Sequence, residues 1–188
     1  MRIRKASIRW SGGSASVDFR DIENRVFPVV CITGAHGSGK SLLLKFIRSA
    51  WLYSATERFS LWADKDMYGE VEFETATGIS SCIMREGSIA QKAVLPSITG
   101  KGDMREGMLY FDALTRMNLS SEAFRGSDNE AAKLVAIVLS DFYKHKIQNS
   151  VVMVDDIDLL LNKGDCAMFM AELSKLVLRG DNQLIVTE

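Results

Sequence analysis

The chain has 188 residues, 47% apolar and 25% charged, with 14 glycines and only 2 prolines, a composition that excludes disorder, collagen and linker-rich architectures. A chain of this length buries roughly 70% of its unfolded surface, so a single domain is expected, with one substantial core or a core and a small satellite. Lys and Arg total 23 against 24 Asp and Glu, and the net charge of -1 supplies no field toward nucleic acid or an anionic membrane; a nucleic-acid contact has to be local. Cys31, Cys82 and Cys166 are odd in number and widely spaced among apolar residues, which reads as reduced thiols rather than a disulfide framework. No apolar run approaches the roughly 20 residues that cross a bilayer, and the first ten residues lack a signal-peptide core, so the expectation is a cytoplasmic protein with no membrane partner.

Along the chain, Arg2, Arg4, Lys5 and Arg9 interleave with Ile3, Ile8 and Trp10, an approximate alternation that predicts a strand with one basic face, broken by Gly12 and Gly13. Val17 to Phe19 is a second short strand. Val26 to Thr33 is a β-rich apolar run suited to a strand buried on both faces. A glycine loop follows, and then Leu43, Leu44, Ile47, Ala50 and Trp51 recur at helical spacing, so the order is strand, loop, helix. Val71 and Phe73 alternate with glutamates, and after the Thr77-Gly78 turn Ile79 and Ile83 continue the alternation, which predicts an antiparallel hairpin. Arg85 to Gly107 has no sustained period and reads as irregular. Leu109 to Phe111 is a further strand, a central helix is expected over about Glu130 to Lys146, Val151 to Val154 is a buried strand, and a helix near Asp165 to Arg179 stops at Gly180 before a last strand, Leu184 to Val186. The fold class is therefore α/β, a mainly parallel core flanked by helices, with an antiparallel β-subdomain drawn from about 1–30 and 68–84 and a helical insertion over about 112–146.

Gly34-Ala35-His36-Gly37-Ser38-Gly39-Lys40-Ser41 matches the phosphate loop G-x-x-x-x-G-K-[ST] without a departure. Glycines let backbone N–H groups wrap phosphates, Lys40 neutralises the β and γ oxygens, Ser41 Oγ can ligate Mg²⁺, and a helix N-terminus favours anions; Leu42 completes the cofactor-binding set. Val151 to Asp156 is the partner motif, a buried strand that delivers Asp155 for Mg²⁺ and Asp156 for the attacking water. Asp66-Met67-Tyr68-Gly69 and Asn162-Lys163-Gly164-Asp165 spell GTPase elements, but Asp66 follows no buried strand and Asn162 lies too close behind Asp155 for a helix and strand to intervene. Guanine is not the expected base. His36 and His145 need no special role, and Met153, Met168 and Met170 read as core.

The long separation between the two nucleotide motifs leaves room for a hairpin subdomain and a helical segment. In this the sequence resembles the ABC-type ATPase heads of the SMC and recombination-repair class, in particular the small AAA-labelled ATP-binding proteins of bacterial operons and mobile elements. The resemblance spans nearly the whole chain: Ile3 to Trp10 is similar to the basic opening strand, Gly34 to Ser41 to Walker A, Gly69 to Ile83 to the β-subdomain, Val151 to Asp156 to Walker B, Leu184 to Thr187 to the strand after it, and Asp158 to Asn162 to the D-loop. It implies an ATPase with ATP and Mg²⁺, a homodimer that sandwiches two nucleotides, and a separate effector protein. It also implies that Gln91 is the Q-loop glutamine and that Gly126 to Glu130 is the signature loop, whose Ser127 meets the nucleotide of the other subunit. Arg116 and Arg125 flank that loop. Asn129 stands where the signature has Gly, Asp156 where the family has a catalytic Glu, and no switch histidine follows the last strand. Asp156 and the missing histidine leave an ATP-dependent dimerisation switch with little hydrolysis as one alternative; a small-molecule phosphotransferase is another, though such enzymes seldom need a second acidic strand so far after the phosphate-loop lysine.

Overall fold

In the computed structural model, which describes residues 1–56, 66–95, 107–112, 148–156 and 163–188, the opening alternation of apolar and basic residues forms strand β1 (Arg2–Trp10). The chain reverses at Gly12 into β2 (Gly13–Asp18), which begins earlier than Val17 because Gly13, Ser14, Ala15 and Ser16 pair with Trp10 back to Ser7. The hairpin is β4 (Tyr68–Thr75) and β5 (Gly78–Arg85), closed at Gly78 with φ 127°. A further strand, β6 (Ser88–Gln91), pairs with β5. It falls in the stretch expected to be irregular, and the cause is a turn at Glu86-Gly87, both with positive φ, that returns only a few residues and so leaves no period to detect. The five strands form an antiparallel sheet in the order β2-β1-β4-β5-β6.

Ile3, Ala6, Ile8, Val71, Phe73, Cys82 and Met84 are buried in this unit. Helix α1 (Lys40–Thr56) adds Leu43, Leu44, Phe46, Ile47 and Ala50, all at most 1% exposed. The helix comes close enough that a Cβ on Gly69 would stand 2.6 Å from the Phe46 ring, so Gly69 is required where β4 passes α1. Each such large apolar side chain contributes roughly 1.5–3 kcal/mol on burial. Register slips between Ile3 and Lys5 where β1 meets β4. The extra residue is Arg4, whose guanidinium reaches Glu72 at 2.8 Å, Glu74 at 2.6 Å and Asn24 at 2.8 Å. Arg4 is 6% exposed, and Lys5 stands opposite Glu72 and Asp18. The basic face expected on β1 is thus matched by the acids of β4.

A second unit comprises Pro28–Ile32 and Asp103–Glu188, the first being Met1–Phe27 with Thr33–Gly102. Its strands β3 (Val29–Ile32), β7 (Met108–Asp112), β8 (Val151–Asp155) and β9 (Gln183–Thr187) form a parallel sheet in the order β3-β9-β8-β7. β8 and β9 are buried at every residue, as continuous apolar runs predict. β3 departs from that expectation: it is four residues long, it ends the strand order among the described residues, and Cys31 is exposed. Helix α2 (Lys163–Arg179) covers one face, placing Phe169, Leu173 and Val177 against Phe111, Val152, Val154, Leu184 and Val186. α2 ends at Gly180 as expected, but the left-handed residue is Asp181, φ 52°. Asp tolerates that region better than most side chains. The expected helix at 130–146, the signature segment and its flanking arginines, and the segment 158–162 lie outside the described residues.

Candidate functional site

The phosphate-loop sequence forms an exposed loop that runs into α1, whose first residue is Lys40. Gly37 and Gly39 take φ of 80° and 91°, conformations that an L side chain strains to adopt. Gly34, Ala35, His36, Gly37 and Ser38 are exposed, while Gly39, Lys40, Ser41 and Leu42 are half-buried. A single turn closes the loop, Ser38 N–H donating to the Ala35 carbonyl at 3.1 Å, and Leu43 N–H donates to Gly39 at 2.8 Å to begin the helix. The Lys40 ammonium folds back and donates to the carbonyls of Gly34 at 2.6 Å and Ala35 at 3.1 Å. A cation so held sits at the loop's own rim, where an anionic oxygen is a stronger acceptor than a carbonyl.

Trp10, which lies outside the phosphate-loop motif, supports this loop. A Cβ added to Gly39 would lie 2.4 Å from the Trp10 ring, one on Gly12 2.9 Å from its Nε1, and one on Gly13 3.3 Å from the same indole. Three glycines thus leave room for one aromatic ring at the end of β1. The Gly12-Gly13 pair beside a tryptophan was the visible signal, though it reads equally as a strand break.

In the second unit the carboxyl end of β8 carries the two acids. Asp155 is 1% exposed, and both of its oxygens accept hydrogen bonds from hydroxyls: Thr187 Oγ1 to Oδ1 at 2.6 Å and Tyr110 OH to Oδ2 at 2.7 Å. A buried carboxylate without such donors would be costly. Asp156 follows in the left-handed region, φ 53°, with its N–H donating to Thr187 Oγ1 at 2.9 Å. Neither Thr187 nor Tyr110 is marked in the sequence, since a Thr ending an apolar strand and a Tyr within one carry no motif.

Gln91 is placed at the end of β6, exposed, paired in register with Ile83, its amide donating to the Ser81 carbonyl at 3.4 Å. It therefore sits on a strand and not in the irregular loop assigned to it. Lys163, Gly164 and Asp165 occupy the first turn of α2, so most of the apparent guanine motif is helix. Ser127 lies outside the described residues. The structure brings Gly34, Ala35, Ser38 and Lys40 together in the first unit, and Asp155 and Asp156 together in the second.

No protein-family model matches the chain, and no curated protein does either. Among solved structures it is similar to the SMC head domain from Thermotoga maritima, with a TM-score of 0.52 at 13% identity over 100% of this chain and 89% of that one. At that identity the likeness shows the fold alone, that of an SMC head domain.

Proposed function

We propose that the chain is an ATPase of the ABC/SMC-like head type, which binds ATP with Mg²⁺, closes into a homodimer around the nucleotide and passes the work of turnover to a separate effector protein. The observation that carries this reading is the phosphate loop: left-handed Gly37 and Gly39, exposed backbone, and Lys40 turned onto the loop at the first residue of a 17-residue helix. The SMC-head fold supports it. Residues Gly34 to Leu42 would supply N–H donors and the Lys40 charge to the phosphates. Ser41 and Asp155 would hold Mg²⁺, which neutralises phosphate charge when bound. Asp156 would orient water, with Gln91 as a further polar group and Ser127 completing the partner's site. The net charge of -1 gives no support to a nucleic-acid contact.

The experiment is a radiolabelled ATP turnover assay on the purified chain. Asp155→Asn is expected to weaken Mg²⁺-dependent binding, whereas Asp156→Asn spares binding and stops turnover. Turnover at the parent rate in Asp156→Asn removes that residue as the base. Tight binding with no turnover in the parent favours the dimerisation switch, a reading that Asp156 in place of a longer acid supports. Consumption that requires an added small acceptor favours the phosphotransferase.

A further inference from the structure

Thr187 is the last residue of β9, fully buried, and β9 lies between β3 and β8. The three residues before it, Leu184, Ile185 and Val186, are apolar, and a valine would fill the same volume and continue the run. A hydroxyl here has to be satisfied, and it is used in both directions: it accepts the Asp156 N–H at 2.9 Å and donates its one proton to Asp155 Oδ1 at 2.6 Å. Tyr110 OH, at 2.7 Å, holds the other carboxylate oxygen. With a donor on each oxygen the Asp155 carboxylate is fixed in rotation. The next amide is tied by the same hydroxyl, at a residue whose left-handed backbone needs an anchor to persist.

We propose that Thr187 is a positioning residue that locks the two acids into one unit, setting the Asp155 carboxylate and the backbone of Asp156 through a single hydroxyl, with Tyr110 as its counterpart on the far oxygen. The catalytic consequence rests on the ATPase reading of these acids; the hydrogen-bonded unit does not. Fixing both acids from one atom means that loss of that atom disturbs metal binding and water orientation together, whereas loss of the Tyr110 hydroxyl loosens the metal acid from one side.

The test compares Thr187→Val, which removes the hydroxyl at constant shape, Thr187→Ser, which restores it, and Tyr110→Phe. Amide hydrogen exchange at Asp156 is expected to quicken at least tenfold in Thr187→Val and to return toward the parent in Thr187→Ser. Exchange unchanged in Thr187→Val overturns the proposal whether or not the chain hydrolyses ATP. In the turnover assay Thr187→Val is expected to lower kcat about tenfold or more with KM for ATP changed less than threefold, and to raise the Mg²⁺ concentration needed for half-maximal rate. Tyr110→Phe is expected to raise the Mg²⁺ requirement with a smaller loss of kcat. Equal kcat and Mg²⁺ dependence in Thr187→Val and parent overturns the positioning role while leaving the ATPase reading intact; a parent that neither binds nor hydrolyses ATP removes that reading, and the exchange result then decides the lock alone. Should Thr187→Val fail to fold, Thr187→Ala against Thr187→Ser carries the same comparison.

Discussion

Gly39 shows how much a single hydrogen atom at Cα can matter in a site built from backbone. Its φ of 91° disfavours any L side chain, and a Cβ there would meet the Trp10 ring at 2.4 Å, so the position is constrained twice over. Gly39→Ala is expected to destabilise the protein by about 1–2 kcal/mol from the backbone term alone, with a further loss from displacing the indole, read as a lowered thermal midpoint and weaker ATP binding. Replacing Trp10 by a smaller side chain in the same background should restore part of the stability and none of the backbone term. The glycine itself was legible in the sequence as part of a motif. The ring that faces it was not, because Trp10 and Gly39 are joined only by the folding of β1 against the loop.

At the scale of elements, long apolar periods were readable and short polar pairings were not. α1, β8, β9 and the β4–β5 hairpin follow directly from Leu43, Leu44 and Ile47 at helical spacing, from Val151 to Val154, from Leu184 to Val186, and from the alternation through Val71 and Phe73. β6 was missed because a two-residue turn precedes only four residues, and the exposure of Cys31 because a sequence does not say which strands flank a run. The bulge at Arg4 was likewise invisible, and it converts an expected basic face into a network in which Arg4 meets Glu72 and Glu74 while Arg20 meets Asp18. The side-chain hydrogen bonds from Arg20 pull the Asp18 carboxyl down to about 2, against the opposing effect of burial. A lowered carboxylate pKa contributes stability that is present above the ordinary value of 3.8 and lost as pH falls toward about 2. Asp18→Asn is therefore expected to lower the thermal midpoint slightly near neutral pH, with the difference from parent vanishing in strong acid; the effect is small because both side chains meet solvent. A difference that grows as pH falls would contradict the assignment.

At the scale of the whole molecule the phosphate loop and the paired acids were both legible as motifs, while the residues to which the proposed assembly is assigned lie outside those described. A phosphate loop alone leaves the γ-phosphate open to water on one side, and closure by the Ser127 loop of a second copy is the arrangement the resemblance implies. ATP with Mg²⁺ is expected to convert monomer to a two-fold symmetric dimer in the Asp156→Asn background, and Ser127→Arg to block this without loss of nucleotide binding. Sedimentation that finds monomer at saturating ATP would remove the sandwich and leave the fold. Nucleotide binding is assigned above all to Lys40, whose ammonium rests on the Gly34 and Ala35 carbonyls. Calorimetric titration of ATP and Mg²⁺ into the parent and into Lys40→Ala tests this most directly. One charge-assisted contact is worth roughly 1.5–3 kcal/mol, so the predicted result is a parent that binds and a variant weaker by about ten- to a hundredfold, whereas equal affinity in the two, or no binding by the parent, would contradict the account.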